Sequence, residues 1–452
     1  MFTDVFKKEL GITLKLAIPI VVAQLGVVLM GVTDNIMVGR LLGKTALGVS
    51  GIANSIAYLI SSIAVGGMAV VAPMISKAKA ESDIPKIRNL FTSSLWVALG
   101  FSIILTIPGI IAYFNFEKLG QPENINQSAP EFLFYILLSN IPLYFFVSAK
   151  QFTDGLSKPY IAMSITLTGL ILNITGNYLL ITGSFGFPRL GLPGAAISTL
   201  MSRIIMAIVL ICYIRYSGKF KNYFENFKVN FNTELVKKIS SLSVPGGFQF
   251  FFEIGAFSFA VIMMGWISET ALAAHQIAIN IASTTYMMAS GIAFAGGIRV
   301  GEAWGMRSPK RIRTSGYAAY LLVFSFMTIC MLIIFVFKSQ LLSVYINDDD
   351  VLAVAIPLLV IASIFQLSDG LQVVGLGALR GLSDVKIPTF ITFIAYWIIA
   401  LPLGYILGFI FDFQSIGIWI GLLTGLSVSA VLLYYRFFQL IKPSKLKNRL
   451  SV

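Results

Sequence analysis

Long apolar runs separated by short polar stretches recur along the whole chain, and twelve reach the roughly 20 residues that a helix needs to cross about 30 Å of hydrocarbon. They lie at 14–38, 46–75, 90–114, 131–152, 159–182, 194–216, 240–265, 271–300, 316–338, 351–378, 387–411 and 415–440. Period-two alternation is missing from them, which argues against a β-barrel. The pattern predicts an all-α integral membrane protein with twelve transmembrane helices. Glycine and proline fall inside many runs, as membrane helices tolerate when neighbouring groups take up the freed backbone.

The pattern also repeats at long range. Pro19 and Pro245 open the first and seventh runs 226 residues apart, and Gly39 matches Gly265 at the same offset. Thr45-Ala46-Leu47 recurs as Thr270-Ala271-Leu272 at 225, and Gly155-Leu156-Ser157 recurs as Gly381-Leu382-Ser383 at 226. Six spans is an even number, so the halves keep one orientation and form two parallel six-helix repeats around a central cavity. The expected division is residues 1–215 as an N-terminal lobe, 216–238 as a cytoplasmic linker, 239–440 as a C-terminal lobe and 441–452 as a cytoplasmic tail.

Composition sharpens this. Hydrophobic residues make up 57% and charged residues 12% of 452 positions, against about 25% charged in a soluble domain. The net charge of +13 suggests an acidic partner until each base is placed on the spans. With a cytoplasmic N-terminus, 27 of the 33 lysines and arginines fall on the cytoplasmic side. Arg40, Lys44, Lys118, Arg189 and Lys338 fall outside, and Arg203 lies mid-span. This is the positive-inside bias, with both termini cytoplasmic, and it removes the argument for nucleic acid. No small-residue cleavage site follows the first run, which reads as a span rather than a signal peptide. Cys212 and Cys330 lie in apolar runs and His275 is the sole histidine, so neither a disulfide framework nor a histidine metal cluster is implied. No Walker sequence is present, which argues against ATP hydrolysis.

Three carboxylates interrupt the apolar runs: Asp34, Glu253 and Asp369. A charged group near a bilayer centre costs roughly 2.5–3.5 kcal/mol on insertion scales, and such residues normally mark an ion or substrate path. The repeat does not conserve them, because Ala260, Val27 and Leu143 stand at the matching positions. Counting depth along the spans brings Asp34 level with Asn173 and Asn177, one turn apart, and with Ala195 and Thr199. A carboxylate, two amides, a hydroxyl and a carbonyl form a candidate all-oxygen site for a hard cation, or a proton-bearing network. Plain interhelical bonding, with Asp34 paired to Arg40, is the alternative. Glu253 and Asp369 lie near mid-membrane, with phenylalanines crowding Glu253 that suit flat organic cations. Structural pairing of these acids with Arg203 is the competing reading. Phe252, Phe257, Phe365 and Arg203 are the candidate lining of a substrate cavity, and Na+ is a candidate occupant at Asp34 or at Glu253 with Asp369.

The stretches VTDNIMVGRLLGKTALGVSGIANS, ILNITGNYLLI, GLPGAAISTLMSR and TALAAHQIAINIAS resemble the multidrug and toxic compound extrusion (MATE) family in its NorM-like branch. The likeness covers essentially the whole chain. It implies a secondary multidrug efflux antiporter that exports organic cations in exchange for Na+ or H+, with no cofactor, acting as a monomer in the lipid of a bacterial inner membrane. It also implies that Asp34 is the acid of the first helix, Asn173 and Asn177 the paired asparagines, Thr199 the sixth-helix hydroxyl, and Glu253 and Asp369 the acids of helices seven and ten. One departure is Phe365, where the family often carries a tyrosine one turn before the helix-ten acid. A flippase of lipid-linked oligosaccharide shares this architecture but calls for a larger basic cavity, and an ion channel would not require the two-lobe repeat. The topology has a direct test. A cysteine introduced near Asp349 should react with an impermeant thiol reagent added outside, and one near Lys445 should not; the reverse pattern overturns the assignment.

Overall fold

The computed structural model describes residues 4–116, 123–225, 231–346 and 348–450. Lys118, residues 226–230 of the expected linker and the last two residues of the expected tail lie outside the described residues. Among the described residues twelve helices are long and apolar enough to cross a membrane. They are α1 (Asp4–Leu42), α2 (Thr45–Ala80), α3 (Ile84–Phe114), α4 (Ala129–Gly155), α5 (Pro159–Thr182) and α6 (Leu192–Tyr216), then α7 (Thr233–Ile267), α8 (Glu269–Gly305), α9 (Pro309–Val336), α10 (Asp349–Gly381), α11 (Lys386–Ile410) and α12 (Gln414–Leu440). Among the described residues there is no strand. Each helix contains one of the expected apolar runs or nearly all of it.

Local chemistry explains the ends. Proline opens α5 and α9, where a helix has no use for the missing N–H. Asp83, Ser268, Ser308 and Asp348 cap α3, α8, α9 and α10, each accepting from a backbone N–H three residues on. Within α11, residues Ile394–Ala400 and Ile406–Ile410 adopt the wider π register. Pro402 lies between them and lacks the N–H that would close the α-helical bond onto Ile398, so the turn before it relaxes.

The repeat is visible in the backbone. Ser157 and Ser383, 226 residues apart, both take left-handed φ values, of 62° and 57°, just beyond α4 and α10. Each turn closes with the same 2.9 Å bond, from Lys158 N to the Thr153 carbonyl and from Asp384 N to the Leu379 carbonyl. Ser82 and Arg307 form a second such pair, at φ 57° and 50°.

The chain folds into two compact units, one of residues Val22–Gly247 and the other of Met1–Val21 with Phe248–Val452. The changes of unit fall two residues after Pro19 and two after Pro245, inside α1 and α7, rather than in the polar stretch at 216–238. Within the second unit Glu9 holds the start of α1 in place. Arg299 grips its two oxygens at 2.7 and 2.8 Å, also bonds Glu302, and Ser315 donates to Glu9 at 2.9 Å. This bidentate geometry ties an N-terminal segment to residues nearly 300 positions away.

In the same unit α8 and α10 pack backbone to backbone. A Cβ on Gly297 would lie 2.6 Å from the Gly377 carbonyl, and one on Gly377 would strike the Ala293 carbonyl. The Gly377→Ala variant should therefore lose about 1–3 kcal/mol through overpacking. Gly265→Ala, where nothing lies within 4 Å of the added atom, should be tolerated. Thermal unfolding in detergent compares the two, and equal effects would contradict this packing.

Candidate functional site

Each unit holds a group of polar side chains around the carboxylates that interrupt its apolar runs. In Val22–Gly247, α1 carries Asp34, α5 carries Asn173 and Asn177, and α6 carries Thr199. Helices α5 and α6 approach so closely that a Cβ on Gly176 would meet the Ser198 hydroxyl at 2.5 Å. Glycine there brings the polar groups of both helices within bonding range, and Ser198 donates to the Asn173 carbonyl at 3.0 Å. Asp34 accepts at both oxygens: Asn177 Nδ2 donates to Oδ1 in a short bond, and Thr199 Oγ1 donates to Oδ2 at 3.2 Å. Asn173 Nδ2 donates to Thr199 Oγ1 at 3.2 Å, and the Ala195 carbonyl lies 3.1 Å from the same hydroxyl. The structure thus brings together the five residues grouped by depth.

Helix α1 continues to Leu42, so Asp34 sits eight residues, or about 12 Å, from its end. Asp34 bonds neutral groups rather than Arg40. Asn173 and Asn177 are fully buried, yet the Oδ1 atom of each accepts no hydrogen bond. Two orphan amide oxygens beside a carboxylate present acceptors only, a set that suits a hard cation or a proton-bearing water. Arg203 donates from one nitrogen to Ser139 at 2.7 Å and Asn140 at 3.0 Å, and acts through space on Asp34. These hydrogen-bond partners belong to the same unit as Asp34.

The other unit holds Glu253 on α7 and Asp369 on α10, 5% and 3% exposed, and Glu253 acts electrostatically on Asp369. Tyr286 of α8 donates to Glu253, and Arg380, in the last turn of α10, is the cation that acts on it. Tyr396, set in the π segment of α11, donates to Gln372 Oε1 at 3.0 Å, while Thr285 donates to Gln366 Oε1 at 2.6 Å. The orphan atoms here are Glu253 Oε2 and the donors Gln366 Nε2, Gln372 Nε2, Gln249 Nε2 and Arg380 Nε. Donors predominate, the reverse of the Asp34 group.

Aromatic rings of these and neighbouring helices pack on one another. Phe257 packs at 6.0 Å from Phe365 and 5.9 Å from Tyr396, and Phe365, 2% exposed, lies 5.8 Å from Trp419 in the core. Phe252 packs against Phe393 with the rings tilted and 5.0 Å apart, and its carbonyl accepts from Trp397 Nε1 at 2.9 Å. The missing tyrosine at 365 leaves Tyr396 and Tyr286, from neighbouring helices, as the hydroxyls around these acids.

The MatE family profile matches residues 19–179 and again 245–406, with the second match displaced by the repeat offset. Those two segments span well over half of the chain. The chain belongs to the MatE family. A relative from Bacillus cereus named "Probable multidrug resistance protein NorM" is 33% identical, with 99% of each chain covered. One of the same name from Rhodopseudomonas palustris is 32% identical over 98% of this chain and 94% of that one. The crystal structure of the eukaryotic MATE transporter AtDTX14 matches with a TM-score of 0.88 over 99% of this chain and all of that one. At 19% identity that likeness speaks for the fold. As a MatE-family chain the protein is a multi-pass membrane transporter and not an enzyme.

Several residues around the C-terminal acids escaped the sequence reading. Arg380 stands eleven residues after Asp369, three turns along one face of α10, but the charge distribution placed it at the cytoplasmic rim. Gln249 stands one turn before Glu253 on α7, a spacing that marks a shared face. Tyr286 and Tyr396 are joined to the site only by tertiary packing, and no spacing along the chain reveals them.

Proposed function

We propose that this MatE-family protein is a secondary multidrug efflux antiporter of a bacterial inner membrane, exporting organic cations in exchange for Na+ or H+. The observation that carries the reading is the Glu253–Asp369 pair. Among the described residues neither acid forms a salt bridge, and two neighbouring carboxylates in a dry site call for a cation or a proton. The names of the relatives point to the same activity. The small-molecule substrate and the coupling ion compete for the carboxylates. Entry of the ion from outside displaces the drug outward, and loss of the ion inward restores the site. The exchange requires only that affinity differ between the two facing states.

Asp34 supplies a second ion-sensitive group. Its bonds from Asn177 and Thr199 come from neutral donors, so its own charge is what changes when an ion arrives. The chain acts as a monomer, with both termini cytoplasmic and its outer faces in lipid. The flippase reading calls for exposed bases at membrane depth, whereas Arg203 and Arg380 are each tied to polar side chains near a carboxylate.

Drug accumulation in efflux-deficient cells, with and without an imposed Na+ or proton gradient, tests the activity itself. The variants Glu253→Gln and Asp369→Asn should each abolish most efflux while reaching the membrane at normal levels, because an amide keeps the size and removes the charge. Asp34→Asn should flatten the gradient dependence of export at saturating drug in proteoliposomes. Near-normal transport by the first two variants, or full gradient dependence with only weakened affinity in the third, would refute these roles.

A further inference from the structure

Arg380 is a buried cation that the exchange cycle above leaves unused. It is 5% exposed and stands in the last turn of α10. Burying such a charge is costly unless acceptors surround it. The acceptor it holds is neutral: one terminal nitrogen donates to Gln249 Oε1 at 2.9 Å. The face of the Phe250 ring lies 5.3 Å from the guanidinium carbon, a cation–π contact. Its Nε has no acceptor.

One turn further along α7 stands Glu253. Gln249 and Glu253 are four residues apart and so share one face of the helix, separated by a rise of about 6 Å. Glu253 Oε2 has no donor, although Arg380 is close enough to act on it electrostatically. An unpaired N–H of a buried arginine and an unpaired oxygen of a buried carboxylate therefore flank one turn of helix. The guanidinium rests on the amide when the stronger, charged acceptor is a turn away. This arrangement makes sense if the carboxylate is reserved for another cation, with Arg380 returning to it when that cation leaves.

We infer that Arg380 is a tethered internal cation that competes with the transported organic cation for Glu253, and that Gln249 and Phe250 are its resting place while Glu253 is occupied. The inference rests on the antiport reading above and adds the group that loosens the site. Without a built-in competitor, a carboxylate pair in low dielectric would hold an organic cation tightly and release it slowly. Arg380 is thus a positioning residue that acts through Glu253 and does not itself touch the cargo.

Two substitutions should move affinity in opposite directions. Arg380→Met keeps the approximate volume and removes the competitor; Gln249→Leu removes the resting place and drives the guanidinium onto Glu253. Equilibrium binding of tetraphenylphosphonium to purified protein in detergent, at fixed pH and Na+, reads the effect directly. Arg380→Met should lower Kd about tenfold, and Gln249→Leu should raise it by a similar factor. Arg380→Lys should stay near the wild type. In proteoliposomes Arg380→Met should lower KM and kcat together, because the cation binds tightly and leaves slowly, whereas damage to the fold would lower kcat without tightening binding. Unchanged or weaker binding by Arg380→Met overturns the inference. Should that variant fail to accumulate, unchanged or tighter binding by Gln249→Leu overturns it instead. If the wild-type protein binds no organic cation, the proposed function itself fails, an outcome distinct from wild-type binding that the variants do not shift.

Discussion

The cost of holding a carboxylate away from water is the constraint on which the rest of this structure depends. Each of the three intramembrane acids meets it differently. Asp34 is partly buried and takes a hydrogen bond at each oxygen, from Asn177 and Thr199. Glu253 takes one from Tyr286 and leaves Oε2 unpaired, beside the like charge of Asp369. The groups that donate to these oxygens are neutral. The guanidinium that acts on Glu253, that of Arg380, is held on a neutral amide. A protein built only for stability would pair or replace such charges, since apolar side chains of similar volume are often at least as stable. Retaining them without a counter-ion is what the proposed cation exchange requires.

Duplication supplied the frame and divergence supplied the chemistry. The two halves share prolines, turn conformations and helix-to-helix glycine contacts at one offset, and the family profile matches each half separately. The charges follow no such rule. Arg380 occupies the position that corresponds to Asp154 in the first half, and Asp154 there bonds Lys150 at 2.7 Å within its own helix. A base and an acid thus stand at equivalent places in equivalent turns. The backbone tolerated both because each turn closes with main-chain bonds, without calling on either side chain.

The sequence made the helices and the Asp34 group legible for the same reason: both follow from counting along single helices. A run long enough to cross a bilayer is visible as composition, and residues one turn apart on α5 or α6 necessarily share a face. What counting misses is whatever depends on how helices cross. Tyr286 and Tyr396 reach the C-terminal acids from α8 and α11, and the π register that sets Tyr396 follows from Pro402, a local break whose consequence is read only in three dimensions. Arg203 is a second case. Its mid-span position left its partner open, and it is packing within its own unit that brings Ser139 and Asn140 to it. The polar linker was a boundary in composition, while the compact units exchange inside α1 and α7, where helices pass from one unit to the other.

The central claim is that the organic cation and the coupling ion exclude one another at these carboxylates. The direct measurement is equilibrium binding of tetraphenylphosphonium to the purified wild-type protein over a matrix of Na+ concentrations and pH values. Mutual exclusion predicts that the apparent Kd rises in proportion to the competing ion, Na+ or H+, with no change in the number of sites at saturation. An apparent Kd indifferent to both ions, or a loss of sites at constant Kd, would show that drug and ion bind independently and would contradict the account.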